Sequence, residues 1–144
     1  MRPITEDLRR YLHLHQVNQS MELQVMAMKS AELCCAALGP RKDPMTRVDA
    51  RLDWCAGHRA EYQHNRAVMR RVERALAAME DPLERQLLRL RYTDSRCGRR
   101  LTWQEVGSLL YGQANVCPST LFRHHRQALA HLSQTAADRE GVAA

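Results

Sequence analysis

Apolar residues fall at helical spacing through most of the chain, and the pattern predicts long helices separated by short polar breaks. From 5 to 38, Leu8, Tyr11, Leu14, Val17, Met21, Val25, Met28 and Cys35 follow one another mainly at steps of three or four. Leu33 and Leu38 widen this stripe. Thr5 can cap the helix, and Glu6 and Asp7 suit its positive N-terminal end. Gly39-Pro40 stops it, and Arg41 to Met45 reads as a polar loop. From 46 to 80, Val48, Leu52, Cys55, Tyr62, Met69, Val72, Leu76 and Met79 keep near-heptad spacing. Each helix of ~34 residues would be about 50 Å long. Joined by a short loop, the two are expected to pack antiparallel as a hairpin.

Asp81-Pro82 is the clearest internal boundary. Asp81 can cap, Pro82 fits a first turn, and Glu84 is placed to complete a capping box. The next helix, 83–92, buries Leu83, Leu87, Leu88 or Leu90, and Tyr92, with Arg85, Arg89 and Arg91 pointing elsewhere. After the polar stretch TDSRCGRR, residues 101–110 carry a further stripe of Leu101, Val106, Leu109 and Leu110 behind the capping box Thr102-x-x-Glu105. Gly112 and Asn115 can take positive φ in the turn 111–116. A last helix opens at Cys117-Pro118-Ser119, with Leu121, His124 or His125, Ala128, Leu129 and Leu132 inward. Ser119, Thr120, Phe122, Arg123 and Arg126 are left outward. The tail after Ser133 has no apolar period and is expected to fray.

The chain therefore reads as all-α. Residues 1–80 form a long antiparallel hairpin serving as an oligomerisation or partner arm. Residues 81–132 form a helix-turn-helix domain, and 133–144 a flexible tail. A packed inner face and an arginine-bearing outer face, behind a turn and a capped support helix, make a helix-turn-helix. An ordinary helical hairpin with solvated arginines would give the same pattern.

Charge sharpens this picture. The net charge is +6, and residues 84–132 hold eight arginines against three acids. The excess sits on the helix-turn-helix segment, which points to an acidic partner. Aromatic residues are scarce, as suits an all-α chain. No apolar run approaches the ~18 residues of a membrane span, and the N-terminus lacks an apolar signal core. The five cysteines are an odd number, two of them adjacent, without a C-x-x-C pair. That composition fits reduced thiols in the cytoplasm. His124, His125, Cys117 and Cys97 match no common zinc spacing. There is no P-loop, G-x-G-x-x-G, H-E-x-x-H or G-x-S-x-G. The sequence is read as a non-enzyme without metal or cofactor.

The segments LERQLLRLRY, LTWQEVGSLL and STLFRHHRQAL together resemble two related things. In fold they look like region 4 of bacterial sigma factors. More closely, over residues 81–132, they resemble the RinA/ArpU-like phage transcriptional regulators, which activate late genes of prophages. The resemblance implies double-stranded DNA as partner, RNA polymerase as a second one, and a bacterial cytoplasm as location. A dimer through the hairpin would present two half-sites. Two departures stand out: TDSRCGRR and the turn YGQAN are both longer than the family pattern.

By that reading the helix at about 118–131 enters the major groove. Ser119, Thr120 and Arg123 are expected to touch bases, Arg123 as a bidentate partner of guanine. Phe122 could meet a thymine methyl, and Arg126 a phosphate. Thr102 and Gln104 are placed for a backbone contact. The loop arginines Arg96, Arg99 and Arg100 could meet phosphate or stay solvated. Two other readings compete: a packaging protein of the phage small-terminase kind, and a helical adaptor that binds protein and no DNA.

Overall fold

The computed structural model describes residues 2–37, 44–112 and 117–143. All regular structure among them is helical. The helices are α1 (Ile4–Ala37), α2 (Pro44–Ala77), α3 (Pro82–Leu88), α4 (Trp103–Tyr111) and α5 (Pro118–Ala143). No helix among the described residues is long and apolar enough to cross a membrane. The helix stop at Gly39-Pro40, the loop 41–43 and the turn residue Asn115 lie outside the described residues.

Contacts divide the chain into two compact units, and not at Asp81-Pro82. One unit joins the residues up to His13 with those from Val68 onward. The other is Leu14–Ala67. The core of the first unit draws on both ends of the chain. Leu8, Leu12, Val72, Leu76, Leu87, Leu88, Val106, Leu121, Ala128 and Leu132 pack together in it. The 81–132 segment thus has no private core. The start of α1 and the end of α2 supply part of it.

Local signals position the C-terminal helices. Asp81 caps α3, its Oδ1 accepting from the Leu83 amide at 2.9 Å. Glu84 does not complete that box. Its buried carboxylate lies 2.6 Å from His131 Nδ1 on α5, a partner 47 residues away that no local pattern reveals. α3 packs on α5 and on α4. It runs on as a π-helical turn, Arg89–Thr93. Leu90 and Tyr92 are both buried, although two residues of ordinary α winding would set them about 200° apart. The segment is therefore covered on two sides.

α4 begins at a complete capping box. The Thr102 hydroxyl accepts from the Glu105 amide at 3.2 Å, while Glu105 Oε1 lies 3.4 Å from the Thr102 amide. It ends at Gly112, whose φ of 68° is left-handed. Four expected inward leucines are exposed instead: Leu33, Leu52, Leu83 and Leu109. Each sits on a stripe of the right period, but period alone does not say how wide the covered face is.

The tail does not fray as expected. α5 continues to Ala143, with Ala136 buried and Glu140 holding Arg71 Nε at 2.7 Å. This anchor lies on α2, far away in sequence.

In the unit Leu14–Ala67, the two helical segments run antiparallel. Asn18 meets Asn65 and the Tyr62 carbonyl, Glu22 accepts from the Tyr62 hydroxyl at 2.6 Å, and Glu32 pairs with Arg51 at 2.8 Å. The Asn18–Asn65 pair is buried, and such a polar pair between helices fixes register. Trp54 stacks on His58 beside a groove of about 310 Å³ lined also by Met21, Val25, Cys55 and Tyr62.

Candidate nucleic-acid interface

The outer face of α5 and the start of α4 hold the residues singled out from sequence. Pro118 opens α5, and the Thr120 and Leu121 amides both reach the Cys117 carbonyl. Ser119 and Arg123 in the first two turns and Arg126 in the third are exposed, with Thr120 partly covered. Arg123 and Arg126 make no ion pair among the described residues. Gln104 is exposed on α4.

The remaining candidates are engaged within the protein. Thr102 is the α4 cap, with its hydroxyl also 3.0 Å from Glu105 Oε1. Arg99 pairs with Glu105 at 3.0 Å. That pair is exposed and contributes little, so a phosphate can draw Arg99 away. Arg100 is held more firmly. It donates to the Arg9 carbonyl at 2.9 Å and lies 5.1 Å above the Tyr92 ring. Arg96 is bound to Asp94. Phe122 is exposed on one side only, since its ring meets Trp103 edge-on at 5.5 Å.

Trp103 is the residue that sequence reasoning missed. Its ring contacts Phe122, His125 at 4.6 Å, and the Arg91 guanidinium at 4.3 Å. Arg91 does not point elsewhere. It reaches inward, donates to the Leu101 carbonyl, and leaves its buried Nε without a hydrogen-bond partner among the described residues. The face of Trp103 is what the cation meets instead. Burial, with the Arg100 charge second, holds the Arg91 pKa below its ordinary value. A guanidinium stays charged regardless. One of only two tryptophans stands in a nine-residue helix. A side chain of that area is rarely left on an outer face, and that was the available signal.

Both histidines are committed. His125 lies inward, with Nε2 2.7 Å from the Tyr92 hydroxyl. His124 bonds the Tyr111 hydroxyl rather than meeting solvent. Burial, then the Arg91 and Arg9 charges, pushes the His125 pKa down to about 4. The unfolded chain would titrate near 6.5. The folded state thus resists the proton, and stability falls as pH drops from about 6.5 towards 4. The full shift would correspond to about 3 kcal/mol. His125 is only about half buried, so solvent screening reduces the expected loss to about 1–2 kcal/mol. His131 acts oppositely. Glu84 raises its pKa, so its contribution is present in acid and fades as pH rises through its folded pKa. Urea unfolding across pH should show a weakening acid limb that His125→Phe flattens. An unchanged limb would mean that another group is responsible.

Cys117 is an exposed thiol at the start of α5. Its pKa is lowered to about 7 by hydrogen bonds from the Ser119 side chain and the Thr120 and Ser119 backbone. No family model, no curated protein and no solved structure matches this chain.

Proposed function

We propose that this protein is a sequence-specific DNA-binding transcriptional regulator, in which α4 and α5 act as the support and recognition helices of a sigma region 4-like helix-turn-helix. The observation that carries the reading is the pair Arg123 and Arg126. They are exposed, unpaired among the described residues, and three positions apart on the outer face of α5. Six other arginines of the first unit (Arg71, Arg85, Arg91, Arg96, Arg99 and Arg100) are bound within it. Two free guanidiniums at the start of a helix suit guanine edges and phosphates. The Trp103 cluster supports the reading by tying α4 to α5. The excess of arginine over acid in 84–132 supplies the general attraction to DNA.

Within this reading Ser119, Thr120 and Arg123 face bases. Arg126 and Gln104 face the backbone, and Arg99 joins them by leaving Glu105. Arg100 and Thr102 serve as structural supports. The protein acts without catalysis in a bacterial cytoplasm as a dimer, activating phage or prophage late genes, with RNA polymerase as a further partner. The resemblance of residues 81–132 to the RinA/ArpU-like regulators is the ground for the last part.

The test is DNA binding by the full chain to fragments of the neighbouring genome at several salt concentrations. Arg123→Ala should cost about 1–3 kcal/mol of discrimination at one base position. Arg126→Ala should weaken all fragments alike and lower the salt slope by about 1. If no fragment is preferred and Arg123→Ala behaves as the parent does, the reading fails. A packaging role is the second reading, favoured by the exposed apolar residues of the unit Leu14–Ala67. A ring of many copies would mark it.

A further inference from the structure

The first unit gathers cations from three stretches of the chain along one flank of α5. Phe122 and His125 both turn towards Trp103. Arg126 lies four positions on from Phe122, so it stands on the same flank. Trp103 carries the Arg91 guanidinium, 4.3 Å from its ring. His125 meets the Tyr92 hydroxyl, and the Tyr92 ring carries Arg100. Arg100 in turn donates to the Arg9 carbonyl at 2.9 Å, across 91 positions of sequence. The start of α1 is thereby held beside α4 and α5.

Few acids answer these cations. Glu105 pairs with Arg99 and Asp94 with Arg96. Glu6, one turn before Arg9 on α1, forms no ion pair among the described residues. Arg9 is exposed, and its guanidinium has no ion pair among them either. Its charge nonetheless reaches α5. After burial and Arg91, it is the third cause that keeps the proton off His125.

We infer that the start of α1, through Arg9, grips a phosphate of the DNA backbone beside the groove that α5 enters. This rests on the DNA reading above and extends it beyond residues 81–132. Like charges gathered without acids repel one another in the free protein, and a polyanion laid across them replaces repulsion with attraction. Arg91 and Arg100 are held inside the unit by rings and carbonyls, which leaves Arg9 to reach outward. Its backbone is already fixed by Arg100, so binding orders only a side chain. Duplex DNA carries a charge about every 1.7 Å along its axis, so a contact beyond that of Arg126 needs no particular sequence.

The experiment follows binding of the full chain to a mixed-sequence duplex and to the genomic fragments as salt is raised. Arg9→Gln should lower the salt slope by about 1 on every duplex. It should keep the order of the fragments and leave the urea midpoint unchanged, because the lost guanidinium holds no ion pair in the protein. Arg74→Gln is the control. Arg74 is exposed and lies beside Arg139 and Glu140, about 22 Å along α5 from His125. It should leave the slope as it is. An unchanged slope in Arg9→Gln, an equal fall in Arg74→Gln, or a changed order of fragments would each overturn the inference. Fragment preference, tested by Arg123→Ala, is a separate readout, because a phosphate contact reads no sequence. A slope that falls in Arg9→Gln alone, with no fragment preferred, would support the α1 contact and reject the sequence-specific regulator. A chain that binds no duplex would reject both.

Discussion

Leu132→Ala is expected to lower the unfolding free energy by about 2–5 kcal/mol. Leu132 is 0% exposed and packs with Leu87, Leu88 and Val106 in the core of the first unit. Truncation removes the transfer energy of the lost methyl groups and leaves a cavity. The surrounding core draws on both ends of the chain and on α3, α4 and α5. Against a total of about 5–15 kcal/mol for an ordinary domain, this is a large share. Leu109 is the control. It belongs to an apolar stripe of the same period, yet is 60% exposed. Leu109→Ala should stay within about 0.5 kcal/mol of the parent. Urea denaturation followed by far-UV circular dichroism measures both through the shift in midpoint. Equal costs at the two positions would mean that α4 does not present the face described above.

The second large effect is expected at Arg71. Its guanidinium donates to Asp7 at 2.6 Å, to Glu140 at 2.7 Å and to the Arg2 carbonyl at 2.8 Å. It therefore clamps the start of α1 and the end of α5 to α2. Asp7 is only 4% exposed. Removing the cation leaves that carboxylate buried without its partner, which costs about 3–5 kcal/mol in a fully dry site. Arg71 retains contact with water, so about 2 kcal/mol is expected for Arg71→Met. Adding Asp7→Asn to Arg71→Met should recover part of the loss, since the stranded charge disappears. The double-mutant cycle reads the coupling directly. The Asp7 part should persist at high salt, while the more exposed Glu140 contact is screened. Additive effects of the two substitutions would show that the Arg71–Asp7 pair contributes no coupling to stability.

The sequence carries the helices well, and the reason is local. Caps, breakers and the three-to-four spacing act within a few residues of one another. Asp81-Pro82, the Thr102–Glu105 box, Gly112 and Pro118 each stand where the pattern places an end. The inward set of α5 was legible for the same reason: Leu121, Ala128 and Leu132 are buried. Leu33, by contrast, has the spacing of the inner stripe of α1 and is nonetheless 72% exposed.

What the sequence by itself determined is therefore the all-α class, the starts of α3, α4 and α5, the end of α4, and the outward arginines of α5. Those follow from short-range hydrogen bonding and periodicity. The tertiary structure decided which leucines are covered, as Leu52, Leu83 and Leu109 illustrate. It also decided that the core includes both chain ends, and that α5 runs past Ser133. Above all it sorted the arginines. Arg71 finds Glu140, Arg100 finds the Arg9 carbonyl and Arg91 finds Trp103, while Arg123 and Arg126 find no ion-pair partner among the described residues. An arginine looks the same in any helical pattern. Whether it is a support or a free binding group depends on charges and rings that folding brings from elsewhere in the chain.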